Sequence, residues 1–188
     1  HKLPLVMAAD NGDNAVVDIE RYDLDPQPEF FQGRLGQVSY EQLKNLDKFE
    51  LMDVVFKKIV QKNIVDPMFI IDHPKEISPL AKSKFSQPEL TERFQLIING
   101  LELVNGFSEL NDPLEQRERF QYQESRRKAG NLEAAPFDED FLEALEYGMP
   151  PAAGLGIGID RLVMLLTGAN SLREVILFPT MRPKSQNV

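Results

Sequence analysis

The sequence contains no cysteine and only two histidines, His1 and His73, in 188 residues. The missing cysteines exclude disulfides, thiolate zinc sites, iron–sulfur clusters and cysteine nucleophiles together. A reducing, cytoplasmic home fits that usage. With so few histidines, a Ser-His-Asp triad or a multi-histidine metal site would have to rest on His73 or on the first residue. Apolar runs are short, about five residues at most, as in Leu162–Leu166. A membrane-spanning helix needs roughly 20. No basic start followed by an apolar stretch marks a signal peptide. Positive charge is also scarce. Twenty-one basic residues stand against 30 acidic ones, for a net charge of −9. That is not the footprint of a module that grips a phosphate backbone by charge alone. It leaves room for an enzyme whose RNA contacts lie elsewhere, and for carboxylates that ligate hard cations.

What is present is the composition of a soluble globular domain, with 42% hydrophobic and 27% charged residues. Residues 1–40 are the least readable segment and stay unassigned; Ala15–Glu20 reads as a short strand. Over 41–62, Leu43, Leu46, Phe49, Met52, Val55, Phe56 and Ile59 recur at steps of three or four, which predicts a helix. Met68–Ile71 reads as a short buried strand, followed by a loop punctuated by Pro74, Pro79 and Pro88. His73 reads as a loop histidine, and Ser78-Pro79-Leu80 as a turn of the kind that lines sites. Phe94–Ile98 and Leu101–Asn105 flank Asn99-Gly100, the strongest short hairpin signal, because both turn residues need positive φ. Asp112-Pro113 predicts an N-cap and a largely polar surface helix ending near Gly130, its end at Arg126-Arg127-Lys128 solvated. A second helix is predicted from about Asp138 to Tyr147, a third, buried, from Asp160, and a last buried strand over Val175–Phe178. The irregular alternation with a clear hairpin favours an α+β fold, an antiparallel sheet flanked by helices.

Two constellations carry chemistry. In Gly154-Leu-Gly-Ile-Gly-Ile-Asp-Arg161 the Gly-x-Gly-x-Gly spacing matches neither the dinucleotide fingerprint nor the phosphate loop. On a strand, Gly154, Gly156 and Gly158 leave one face bare for a planar ligand to approach the backbone, while Leu155, Ile157 and Ile159 point into the core. Asp160 is placed to cap the next helix, whose N-terminus attracts anions. Arg161 opposes the helix dipole and makes sense beside a phosphate. Spacing alone leaves open close strand–helix packing with a surface arginine.

The second is the hairpin. A two-residue turn puts Gln95, Ile97, Glu102 and Val104 on one face, and Asn105, Phe107 and Glu109 on the other if the strand is regular. A bulge at Gly106 would turn Glu109 to the side of Glu102. Two such glutamates with phosphate oxygens would suit magnesium. Asn105, Phe107 and Glu109 suit a cationic side chain, by ion pairing and cation–π attraction. The alternative is a solvated strand with scattered carboxylates.

Together these residues resemble a family. Gly154-Leu-Gly-Ile-Gly-Ile-Asp-Arg-Leu162 is similar to the third signature motif of class II aminoacyl-tRNA synthetases, and Asn105-Gly-Phe-Ser-Glu-Leu-Asn-Asp-Pro113 narrows the resemblance to the class II lysyl-tRNA synthetases. Ile77–Ala81 and Val175–Pro179 look like the same family. The resemblance covers about residues 45–184, and 41–188 reads as the C-terminal part of the catalytic domain. It implies a ligase that activates lysine with ATP and Mg2+ and charges tRNA(Lys), as a cytoplasmic homodimer. It assigns Glu102 and Glu109 to metal, and Asn105, Phe107 and Glu109 to lysine. Glu102, Gly154, Gly156, Gly158, Asp160 and Arg161 go to ATP, with Arg161 as the catalytic arginine on the γ-phosphate. The chain departs from the family at Gln95, usually a glutamate, and at Leu101, usually basic. The first motif and the Phe-Arg-x-Glu of the second do not occur, so this segment alone is expected to be incomplete. Two rival readings remain: a paralogous ligase that attaches a lysine-like amino acid to a protein, and a non-catalytic module that kept the fold.

Overall fold

The computed structural model describes residues 5–9, 14–17, 46–131 and 133–180. Six strands form one antiparallel sheet: β1 (Leu5–Ala9), β2 (Asn14–Val17), β3 (Met68–Ile71), β4 (Arg93–Ile98), β5 (Leu101–Ser108) and β6 (Ala153–Ile157). Their order is β2-β1-β3-β4-β5-β6. The sheet therefore joins strands from before residue 40 to those after it. Helices α1 (Lys48–Val55), α2 (Pro113–Lys128), α3 (Glu139–Glu146) and α4 (Ile159–Thr167) complete an α+β fold.

The helix predicted over 41–62 begins at Lys48. Asp47 accepts from the Phe49 and Glu50 amides and Glu50 reaches back to the Asp47 amide, a capping box that defines the start. Residues 41–45 lie outside the described ones. After Val55 the helix widens into a π-helical turn, Phe56–Val60, and tightens into a 3-10 turn, Gln61–Asn63. Met52, Phe56 and Ile64 pack on Ile70 and Ile97, both fully buried, which forms the main core between this helical segment and β3–β4.

The hairpin has the predicted turn, with φ of 49° at Asn99 and 74° at Gly100. Its register departs from the two-residue count. Ile97 opposes Glu102, but Leu96 opposes Val104 and Gln95 opposes Asn105. Leu103 is thus the extra residue of a bulge, and its carbonyl accepts from the Gly158 amide at 2.9 Å. The expected bulge at Gly106 is absent for a packing reason. Gly106 sits in regular register, and a Cβ there would lie 2.8 Å from the Phe94 ring and 3.0 Å from Leu155.

Asp112 and Asp138 cap α2 and α3 as predicted. Helix α2 is not simply a surface helix: Gln116, Arg119 and Phe120 are buried. Phe120 meets Phe141 edge-on at 5.7 Å. Arg126 is not solvated either, since its guanidinium lies 2.6 Å from Glu50 and ties α2 to α1.

The C-terminal expectations fail most clearly. Leu155, Ile157 and Ile159 are 61%, 48% and 60% exposed rather than buried in the core. Helix α4 likewise exposes Val163 and Leu166. Val175–Phe178 is no strand. A 3-10 turn, Leu172–Glu174, capped by Ser171, runs into it, and Leu177 and Phe178 stand in solvent. Apolar pattern marks a residue's preference for burial; it does not supply the element that buries it.

A candidate ligand cleft along β5

Strand β5 supplies the axis of the site. Cross-strand partners share a face, so the Leu103 bulge puts Glu102 on the same side as Asn105 and Phe107, together with Gln95 and Arg93 of β4. The grouping expected from regular alternation is therefore rearranged: Glu102 joins Asn105 and Phe107, and Val104, expected beside Glu102, falls on the opposite face with Leu96. On β6, Gly156 opposes Asn105 and Gly154 opposes Phe107, so both glycines lie on that face too. The bare strip holds two glycines rather than three. Gly158 has left the strand and is the N-cap of α4. It follows that Asp160 does not cap the helix; it sits, exposed, in the first turn.

The two ends of the strip differ in charge. At one end, the Arg161 guanidinium folds back across Gly158 and donates to the Glu102 carbonyl at 2.5 Å. The amide end of α4 opens at the same place, so cationic and dipolar groups converge there. The Glu102 carboxylate stands beside them and accepts from the Gln95 amide at 2.9 Å. At the other end, the Glu109 carboxylate occupies the space over Gly154, where a Cβ would lie 2.4 Å from its Oε1. The Glu109 amide extends the β6 pairing by donating to Ala152 O at 2.9 Å. The loop at Ala81 bridges its other side.

This spacing separates roles that the sequence had combined. Seven residues of strand, at about 3.3 Å each and shortened by the bulge, put the Glu102 and Glu109 Cα atoms roughly 20 Å apart. Two carboxylates so placed cannot share one ion. The break in alternation that a shared metal required is present, but at Leu103 and too far from Glu109. Among the described residues no group of three or more acidic or histidine side chains forms a metal cage. A single carboxylate beside the Arg161 guanidinium and the amide end of α4 would suit a Mg2+ that came with phosphate oxygens of its own.

Buried residues missed in the sequence hold these side chains. Arg93 donates to Asn105 Oδ1 at 3.2 Å and is itself held by Ile77 O and Ser78 Oγ, each at 3.0 Å. Burial depresses the Arg93 pKa, and the nearby Glu102 and Asp53 carboxylates oppose that shift. Arg119 of α2 donates to Ser78 O at 2.8 Å and Ser83 Oγ at 2.8 Å, which braces the loop Arg93 leans on. His73, expected as a loop histidine, is only 4% exposed and lies 3.0 Å from Gln95 Oε1. Burial and the Arg93 charge push its pKa down to about 4, against a smaller upward pull from Gln95. The only advance signal was position: Arg93 and Gln95 alternate with Ile97 along one strand face, an unusual place for polar side chains.

Taken together, the strip runs from a cationic end at Arg161 to an anionic end at Glu109, joined by strand backbone, the Phe107 ring and the Asn105 amide. A family model described as tRNA synthetases class II (D, K and N) matches residues 14–182. Among curated relatives, the lysine–tRNA ligase of Moorella thermoacetica is 51% identical over 87% of this chain and 34% of its own length. That of Pelotomaculum thermopropionicum is 58% identical over 71% of this chain and 26% of its own. That of Deinococcus radiodurans is 52% identical over 89% and 31%. The chain thus spans about a third of the length of the relatives it matches.

Proposed function

Since the chain belongs to the class II tRNA synthetases (D, K and N), we propose that the full-length protein carrying it activates lysine with ATP and transfers it to tRNA(Lys). The observation that carries the choice of lysine is the Glu109 carboxylate held over Gly154 at the end of β5 far from Arg161. An amino acid with a side-chain ammonium fits there; aspartate would place like charges together, and asparagine would leave a half-buried carboxylate without a cation.

On this reading Glu109 pairs with the lysine side-chain ammonium, Phe107 lies along its apolar stem and Asn105 orients it. Gly156 gives the adenosine its close approach to backbone, while Gly154, expected to serve ATP as well, makes room for the Glu109 carboxylate. Arg161 neutralises the γ-phosphate at the mouth of α4, next to Gly158 and Asp160. Glu102 holds the Mg2+ that accompanies ATP and would offset phosphate charge. The lysine carboxylate oxygen attacks the α-phosphorus, the bond to the bridging oxygen breaks, and pyrophosphate leaves. A ribose hydroxyl at the tRNA end then attacks the acyl carbon, and AMP leaves. Positioning and charge neutralisation suffice for both steps, so no acid–base histidine is required. The cytoplasmic homodimer implied by the resemblance belongs to the same proposal.

The test is amino-acid-dependent ATP–pyrophosphate exchange by the full-length protein, followed by charging of tRNA with a protein acceptor as control. Exchange with lysine and transfer to tRNA are expected. Exchange with aspartate or asparagine instead, or transfer to the protein acceptor, would overturn the proposal.

A further inference from the structure

Glu102 is reached from the interior by a chain of buried groups that the proposed chemistry does not use. A carboxylate only accepts hydrogen bonds, so the Gln95 group 2.9 Å from Glu102 Oε2 has to be the amide nitrogen. The amide oxygen then faces His73 Nε2 at 3.0 Å and needs a donor. The Nε2–H tautomer of a neutral imidazole supplies it. Each assignment forces the next. Gln95 is 6% exposed and His73 4%, so water does not compete freely for either bond. The remaining His73 nitrogen, Nδ1, is buried without a hydrogen-bond partner. His73 and Gln95 border a pocket of about 10 Å³ that Met52, Asp53, Phe56, Ile77 and Arg93 also line.

We propose that His73 is a positioning residue: acting through Gln95, it fixes the Glu102 carboxylate so that one oxygen is occupied and the other is presented to a divalent cation. The inference rests on Glu102 as the metal-holding carboxylate. A glutamine held only by Glu102 can still turn away from it, which frees the carboxylate to rotate. Locked from behind, it donates and leaves the carboxylate one open coordination position. The ion that results is one held by a single protein oxygen, in an orientation set three residues deep in the sheet. Partners of this kind are worth about ten- to a hundredfold in metal affinity.

The experiment is Mn2+ binding to the full-length protein in the presence of a non-hydrolysable ATP analogue, read by electron paramagnetic resonance, alongside thermal unfolding. His73→Leu removes the donor at similar volume; His73→Gln returns an amide N–H near the Nε2 position. His73→Leu is expected to weaken Mn2+ about tenfold and His73→Gln to restore most of it. Gln95→Met should weaken Mn2+ as much as His73→Leu, and adding His73→Leu to it should cost nothing more, because both act through one bond chain. Unchanged Mn2+ affinity in His73→Leu or full additivity in the double variant would overturn the relay, as would a loss that His73→Gln does not repair. If His73→Leu does not fold, Gln95→Met against His73→Gln carries the same test. Glu102→Gln separates the two levels. If it leaves Mn2+ affinity untouched, Glu102 as the metal carboxylate is wrong. If it abolishes binding while the His73 variants bind normally, only the relay is wrong.

Discussion

Over β3 and β4, the site-bearing face of the sheet is roofed by α1 and the π-helical turn, and Ile70 and Ile97 are fully buried. Over β5 and β6 the same face keeps Glu102, Asn105, Phe107 and Glu109 half-buried, beside two glycines. The strands are of one kind and share one ladder. The difference lies in what the side chains leave room for. Large apolar groups on the first half invite a helix. Carboxylates, an amide and absent side chains on the second half leave backbone and charge for a ligand. The closed half also supplies the rigidity of the open one, since Arg93 and His73, which hold Asn105 and Gln95, are anchored under the roof.

This contrast makes graded demands. The largest effect should come from the roofed half: Ile97→Ala is expected to cost about 3–4 kcal/mol of stability in denaturant unfolding. The next is a pH effect from the same half. Burial and the Arg93 charge hold the folded His73 pKa down to about 4, against 6.5 for a free imidazole. Between those values the unfolded chain binds a proton that the native one refuses. Stability should therefore fall as pH drops from about 6.5 to about 4, by up to about 3 kcal/mol, and change no further from this source below that. Unfolding curves of His73→Leu across the same range should lack that component of the slope.

In the open half the effects should move to ligands. Glu109→Gln is expected to lower kcat/KM for lysine about a hundredfold, roughly 2.7 kcal/mol, in the exchange assay. An unchanged value would remove Glu109 from the ammonium pocket. The smallest and sharpest case is a glycine pair. A Cβ at Gly156 meets only Asn105 O, at 3.7 Å, so Gly156→Ala should fold normally and raise the ATP KM about tenfold. A Cβ at Gly106 meets the Phe94 ring at 2.8 Å, so Gly106→Ala should destabilise by about 1–3 kcal/mol without altering the ATP KM. If the two swapped behaviours, the assignment of one glycine to packing and the other to a ligand would fall.

Much of the fold was legible. The Asn99-Gly100 hairpin, the strand Met68–Ile71 and the caps at Asp112 and Asp138 all follow local chemistry, because turns and caps are decided by a few adjacent residues. Of the candidate residues, Asn105, Phe107, Gly154 and Gly156 share one face of β5 and β6, Glu109 lies over Gly154 and Arg161 reaches the Glu102 carbonyl. The site's inner layer was not legible. Nothing local distinguishes His73 from any histidine before a proline, or Arg93 from a surface arginine, since their partners lie between 12 and 22 positions away.

By itself, the sequence determined the Asn99-Gly100 turn, the strand Met68–Ile71 and the caps at Asp112 and Asp138, which residue types could meet phosphate or ammonium, and that alternate glycines would bare a strip of strand. Those properties depend on backbone preference and side-chain chemistry over a few residues. Only the tertiary structure decided that Leu103, not Gly106, takes the extra place in β5, since a bulge is settled by the register of two strands and the amide of Gly158 waiting at its carbonyl. From that one residue follows the shared face of Glu102 and Asn105, while the rise of the strand itself sets the roughly 20 Å between the two glutamates.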